Sequence, residues 1–385
     1  MTPNVLLILG GGCAGLSLAM RLADGPMPYD KLIMIEKRDV YRNDRTWCFW
    51  KLDDAHFSQL AACEWRAFRI ADGQSETIVD CAATPYQMIR SGDFYEFALT
   101  AIKRSPKIEL HLGHAIKNIV KTSQDGWVIE TDRGSFSGSV VIDTRPDAPE
   151  DTRPILWQSF FGQEIICEAG VFEAAVPDLM NFLPTHDDGV AFSYILPFSE
   201  TEGLLETTVF GPDILTIDDL AERQNRLVSR ITKGRRFDVR RSEYGALPMG
   251  AVRTQIGADS HFKVGIMAGS LRPSTGYAFQ RIQRWAEACA ISIRKGSGPI
   301  GHAPDPWPIR MMDDLFLKVM RGAPQLGAKL FCRIFKNVRP DKVIRFLSDH
   351  GKLDDCLAVI FALPSYPFLR ILGKSVTDLI KGARI

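Results

Sequence analysis

The stretch Glu202–Gly211, EGLLETTVFG, sets one carboxylate among residues that favour an extended backbone: Leu204, Leu205, Thr207, Thr208, Val209 and Phe210 surround Glu206. An acid in such a strand either faces water or has chemistry to do. Strand alternation puts Leu204, Glu206 and Thr208 on one face and Leu205 and Thr207 on the other. If the Leu204 face is buried, desolvation favours the neutral acid, and Glu206 becomes a proton donor near neutral pH. If it is a sheet edge, Glu206 is only a solvated side chain.

A second group of residues could hold a cofactor. Gly10, Gly12 and Gly15 form G-x-G-x-x-G directly after the apolar run NVLLIL, and an apolar helical stretch with Leu16, Leu18, Ala19 and Leu22 follows. A second apolar run, KLIMIE, ends in Glu36, 21 residues beyond Gly15. Glycines at that spacing permit a tight turn and close approach of backbone to a pyrophosphate. The helix N-terminus faces the phosphate charge, and the acid accepts hydrogen bonds from the adenosine ribose. An acid rather than a base at position 36 favours an unphosphorylated ribose, hence FAD or NAD.

Those groups need a scaffold. The short continuous apolar runs at residues 4–9 and 31–35 read as buried parallel strands alternating with helix. SGSVVIDTRPDAP (137–149) adds a further strand ending at Asp143. LWQSFFGQEI (156–165), VAFSYILPF (190–198), LLETTVF (204–210) and DVRRSEYGALPM (238–249) read as strands of a mixed or antiparallel sheet. VGIMAGSLRPSTGYAFQRIQRWAEACA (264–290) reads as a strand at Val264–Met267, a loop punctuated by Gly269, Pro273 and Gly276, and a helix. DRTWCFWK (44–51) gathers Arg45, Trp47, Phe49 and Trp50, aromatics suited equally to a cofactor pocket or to core packing. The expected fold is α/β: a Rossmann-type FAD-binding domain (1–150, with 245–300 returning to it), a β-sheet substrate domain (151–244) and a C-terminal helical region (301–385).

Composition narrows the function classes. The 385 residues carry a net charge of +1, which gives no general attraction to nucleic acid. The eight cysteines include no CxxC pair, and no His, Cys, Asp and Glu cluster has ligand spacing, so reduced thiols in a cytosolic compartment and no metal site are expected. The apolar N-terminus lacks a basic leader and is broken by glycines, which favours a buried strand over a signal peptide. Residues 310–385 differ: 14 Lys+Arg stand against 7 Asp+Glu, interleaved with large apolar residues. CLAVIFALPSYPFLRILG comes nearest to a span but is interrupted by Pro364, Pro367 and Arg370. A basic amphipathic region lying on a membrane surface fits this pattern, as does an ordinary helical subdomain.

Taken together, GGGCAGLSLAMRL, NDRTWCFW, PYQMIRSGDFYEF, ALPMG and GSLRPSTGYAFQRIQ resemble the bacterial FAD-dependent lycopene β-cyclases, over about residues 1–310. The resemblance implies an isomerase that closes the ψ ends of lycopene to β-ionone rings, through γ-carotene to β-carotene, with no net redox change. It implies Glu206 as the catalytic acid, and Thr208 on the family's threonine. Thr207 stands where relatives carry a second acid. It implies FAD held in reduced form after priming by NAD(P)H, with Gly10, Gly12, Gly15, Glu36, Arg45, Asp143, Gly269, Pro273 and Gly276 at the cofactor. The GD pair common before such a loop in flavin enzymes is missing here, where Met267, Ala268 and Gly269 stand. Lycopene and related carotenoids are the implied partners, with a membrane lipid surface, at a peripheral monotopic site on the inner face of the cell membrane. The competing reading is an FAD-dependent oxidoreductase of the same fold, a monooxygenase or an isoprenoid reductase.

Overall fold

The computed structural model describes residues 4–382 apart from 54, 124, 147–153, 184–188 and 251–259, with backbone alone for 374–382. Its first layer is a five-stranded parallel sheet in the order His261–Lys263, Val140–Asp143, Val5–Leu9, Lys31–Ile35, Ile108–His111. The central strands are apolar throughout because both faces are covered. Helices Cys13–Ala23, Ser91–Lys103 and Phe279–Arg294 pack on one face through Leu16, Phe94 and Ile282, against Leu6 and Ile8. On the other face, Leu7 and Leu9 meet a three-stranded antiparallel sheet through Ile129 and Trp127.

The second layer is a seven-stranded sheet in the order Phe237–Met249, Leu156–Cys167, Glu202–Gly211, Val190–Pro197, Asp178–Phe182, Ala67–Ala71, Glu76–Asp80. One face carries the helix Ile217–Thr232, capped by Thr216 and Asp219 in a reciprocal box. The other face is roofed by the C-terminal helices Trp307–Gly322, Gly327–Asn337, Pro340–Leu347 and Leu353–Ala362.

Three expectations change. The Ala67–Asp80 hairpin lies within the span assigned to the nucleotide domain, yet it extends the seven-stranded sheet, running parallel to Asp178–Phe182. Its Phe68, Ile70 and Val79 are buried in the core shared with the C-terminal helices, where Phe68 meets Phe335 edge-on. The boundary expected at 150/151 lies outside the described residues. The returning segment begins later than 245, since the long strand continues to Met249, and its strand is His261–Lys263 rather than Val264–Met267. Gly265, at φ 96°, turns the chain out of the sheet into a short 3₁₀ segment, Ile266–Ala268.

The C-terminal region is part of the main core, with Leu317 and Val343 fully buried. Only its last two helices stand partly outside. Leu353–Ala362 and Ser365–Gly373 meet at a bend of 99°, and no single described helix is long and apolar enough to cross a membrane.

Candidate active site

Glu206 lies on a central strand, hydrogen-bonded on both edges, so the solvated-edge alternative fails. Across one edge it faces Gly162, and across the other Tyr194. Its residue is 9% exposed, and Thr208 Oγ1 donates a 2.7 Å hydrogen bond to its Oε1. Burial, reinforced by the charge of Glu243 and opposed by Thr208 and Arg241, pushes the Glu206 carboxyl up to about 8. It therefore carries its proton at neutral pH.

Thr207 points the other way. Its hydroxyl donates to Gln224 Oε1 at 3.0 Å, under the helix Ile217–Thr232, and Gln224 in turn donates to Leu205 O at 2.9 Å. An acid at position 207 would face that helix and not Glu206's side of the sheet. The absence of an adjacent second acid therefore takes nothing from the Glu206 face.

The second carboxylate comes from another strand. Gly162 is opposite Glu206 on one side and opposite Glu243 on the other, so the two acids flank a glycine on one face of three neighbouring strands. A Cβ at Gly162 would lie 3.3 Å from both Glu243 Cγ and Leu204 Cδ1 and 3.4 Å from Glu206 Cβ, so the glycine spares the two acids a further side chain between them. Glu243 is paired with a cation: Arg241 Nη1 donates to its Oε2 at 2.9 Å, and Thr46 Oγ1 donates to the same oxygen at 3.3 Å. Arg241 also bonds Glu164 at 2.7 Å and Thr46 at 2.5 Å. Burial favours the neutral form of Glu206 while Glu243 has a guanidinium beside it, unlike environments of the kind that divide donor from acceptor roles in acid–base sites. The sequence reading missed Glu243. Alternation along DVRRSEYG was the available signal, but pairing across Gly162 is a property of the sheet register.

Both carboxylates line a cavity of about 820 Å³, at the upper end for ligand pockets. Its walls are mostly apolar, from Leu204 and Phe210 on the sheet to Phe331 and Phe335 on the roof. Three tyrosines meet inside: Tyr86 Oη lies 2.9 Å from Tyr194 Oη and 3.2 Å from Tyr277 Oη. Burial keeps the Tyr86 and Tyr194 hydroxyls well above the usual phenol range, so they remain protonated donors. Of the DRTWCFW aromatics, Trp47 and Trp50 reach the cavity, whereas Phe49 stacks on Phe279 in the core with centroids 5.5 Å apart.

The same cavity reaches the glycine turn. Gly10 sits at φ 92°, and a Cβ at Gly15 would lie 2.1 Å from Gly10 O, so each glycine is required by the turn itself. At Gly12 a Cβ would meet nothing within 4 Å, which leaves an open approach where Gly12 and Cys13 line the cavity. Glu36 is buried at the end of its strand, accepting from Gly11 N–H at 2.5 Å and Arg38 N–H at 2.9 Å. Arg38 and Arg45 both line the cavity here, with the Arg45 backbone held by Ser91 Oγ at 2.9 Å. On the far side stand Gly276 (φ 75°), Thr275 and Met267.

Other expected cofactor residues lie behind this surface. Asp143 does not line the cavity. Its carboxylate is clamped by Arg145 through two bonds of 2.9 Å; burial works to raise it, but His261 and Arg145 hold it at about 2. Its neighbours Thr144 and Pro146 provide the lining at that turn. Gly269 (φ 95°) and Pro273 also stay behind the cavity wall and shape the loop. The loop is pinned by Arg272, 1% exposed, which bonds Phe346 O, pairs with Asp313 at 3.4 Å and lies over the Phe346 ring.

A family model described as lycopene cyclase protein matches residues 5–372. The chain belongs to that family. Among curated relatives, the lycopene beta-cyclase of Pseudescherichia vulneris is 27% identical over 308 residues, covering 77% of this chain and 75% of the relative. Among solved structures, a geranylgeranyl bacteriochlorophyll reductase-like protein from Thermoplasma acidophilum superimposes with a TM-score of 0.63 at 15% identity, over 97% of this chain and 99% of that one. The flavin-dependent brominase Bmp2 gives a TM-score of 0.60 at 13% identity, over 98% and 100%. At those identities the likeness establishes the two-layer fold that this lycopene cyclase family member shares.

Proposed function

We propose that this chain is a lycopene β-cyclase that closes the ψ ends of lycopene by acid-initiated, non-redox isomerisation, giving γ-carotene and then β-carotene. The observation that carries the reading is a neutral carboxyl, Glu206, buried in the wall of a large apolar cavity that also reaches a dinucleotide turn. Lycopene has no polar handle, so binding must come from apolar burial, which these walls offer. Its first chemical demand is a proton, and Glu206 delivers one to C2. The C5=C6 double bond then attacks the cation at C1, and loss of the C6 proton leaves the β end.

The residues present fit FAD. Arg38 Nη1 is buried without a partner where Arg38 lines the cavity near Gly12, as a pyrophosphate would require. Gln158 Oε1 is a second buried orphan, an acceptor within the cavity beside Gly276. Gly12, Arg38, Arg45, Thr144 and Gly276 would hold the cofactor, while Glu36 does not line the cavity and braces the turn through the N–H groups of Gly11 and Arg38. FAD held by these residues, in a reduced form that NAD(P)H would prime, would supply negative charge to stabilise a developing carbocation. The protein's own part is to exclude water from that charge: the apolar roof does so.

The decisive experiment is pigment analysis from a lycopene-accumulating host expressing the protein. A shift from red lycopene to β-carotene is expected. Unchanged lycopene, or product formed with one NAD(P)H consumed per ring, would favour an oxidoreductase instead.

The same reading puts the enzyme on a lipid surface as a peripheral, monotopic protein at the cytoplasmic face. The bent helix pair exposes Phe361 (82%), Leu353 (78%), Tyr366 and Leu369, while Ile360, Leu363, Phe368 and Leu372 of the same pair line the cavity. The basic excess of residues 310–385 adds attraction to anionic lipid. Purified protein is expected to float with anionic vesicles at low salt, and Leu353→Glu/Phe361→Glu to leave it in the dense fraction. Equal flotation of both proteins would remove the helix pair from the membrane contact.

A further inference from the structure

Ring closure needs an acceptor for the C6 proton as well as a donor for C2. Resting on the cyclase reading, we propose that Glu243 is that acceptor, so that Glu206 and Glu243 work as donor and acceptor on either side of Gly162. Three observations carry this. The register places both acids opposite the same glycine, on one face of the sheet, and both line the same cavity. Gly162 adds no side chain of its own between them, and the Leu204 Cδ1 methyl borders that space, 3.3 Å from where a Cβ would stand. Among the described residues, both bonds to Glu243 fall on Oε2, from Arg241 and Thr46, so Oε1 remains open to accept.

The alternatives around the cavity are weaker. Tyr194, directly across from Glu206, and Tyr86 hold their protons firmly and are poor acceptors. Glu164 shares Arg241 but does not line the cavity. Asp313 lines it too, and its Oδ2 is buried without a partner, but it sits on the roof helix Trp307–Gly322 rather than opposite Gly162, and burial raises its carboxyl toward the neutral form, which makes it a poorer acceptor.

The step balances without an external reagent. The O–H of Glu206 breaks as C2–H forms, leaving the cation at C1. The C5=C6 pair makes the C1–C6 bond and moves the cation to C5. The C6–H pair becomes the new C5=C6 bond while its proton goes to the Glu243 carboxylate. Glu243 then returns the proton to Glu206 across the gap at Gly162, and substrate and product are isomers.

The test uses the full-length enzyme with FAD, NAD(P)H and lycopene-loaded vesicles in D₂O. Glu243→Gln is expected to retain flavin and to lose β-ring formation by about 100-fold or more, the scale of a positioned proton-transfer group. Protonation by Glu206 persists and reverses, so recovered lycopene gains deuterium at C2; Glu206→Gln gains none. Glu243→Asp keeps a carboxylate and is expected to recover ring closure well above the Gln variant. The proposal is overturned if Glu243→Gln closes rings at the wild-type rate. It is also overturned if flavin-loaded Glu243→Gln loses both ring closure and exchange, or if the Asp variant is no better than Gln. Failure of the wild type to make any β ring would instead sink the cyclase reading beneath it.

Discussion

Glu206→Gln should fold, bind flavin and accept lycopene, yet make no detectable β rings. The amide is nearly isosteric with the neutral acid that occupies the site at pH 7, so little is lost in packing. Thr208 Oγ1 can still donate to the amide oxygen as it does to Oε1 at 2.7 Å. What disappears is the proton. Protonating an unactivated alkene requires a real acid, and the groups around Glu206 do not replace it: Glu243 is engaged by Arg241, and Tyr194 is a far weaker acid. A general acid normally contributes 10²–10⁴-fold, and the mostly apolar lining around Glu206 disfavours water as a substitute donor, so the upper end is expected. Pigment chromatography beside a thermal melt and the visible flavin band reads all three properties. Wild-type levels of β-carotene would remove Glu206 from the mechanism.

The second large effect is set by pH. Because Glu206 titrates near 8, ring closure should be level at neutral pH and fall tenfold per unit above about 8 as the donor ionises. The groups facing it are Glu243 and Arg241 from the Phe237–Met249 strand, Thr208 from its own, Tyr194 from Val190–Pro197 and Cys48 from Thr46–Trp50. Of these, the Glu243 charge raises the titration, so whatever residual ring closure Glu243→Gln retains should lose its alkaline limb at lower pH. The sign for stability follows from proton binding. The folded carboxyl titrates above its ordinary range, so the folded state holds a proton that the unfolded chain has already released. Stability therefore declines as pH rises from the ordinary carboxylate range to about 8, then levels off with respect to this group. A pH–rate profile in vesicles, with melts at each pH, checks both; a rate still level at pH 10 would mean that Glu206 is not the titrating donor.

Much of this was legible in the chain because local patterns specified it. The runs NVLLIL and KLIMIE are parallel strands flanking a glycine turn since they must be apolar on both faces. EGLLETTVFG is a strand from Glu202 to Gly211, and its alternation correctly separates Glu206 from Thr207. Long-range pairing was not legible. Nothing local joins Glu206 to Glu243, whose meeting depends on Gly162 in a strand between them. The Ala67–Asp80 hairpin sits in the nucleotide half of the sequence, and only the burial of Phe68 and Ile70 under the C-terminal helices draws it into the other sheet. Asp143 was placed at the cofactor by the resemblance of its strand to those of flavin enzymes, but Arg145, two residues on, claims its carboxylate.

That hairpin has a consequence for how the chain reaches its native state. Residues 67–80 complete a sheet whose remaining strands lie between 156 and 249, and its core is closed by helices after 307. A nascent chain would therefore carry Ala67–Asp80 as an isolated hairpin, too small to be stable alone, until most of the polypeptide has been made. The two halves cannot mature independently. Division near residue 150 should give an N-terminal fragment that aggregates rather than a free nucleotide-binding module, and recovery should require co-expression of both pieces.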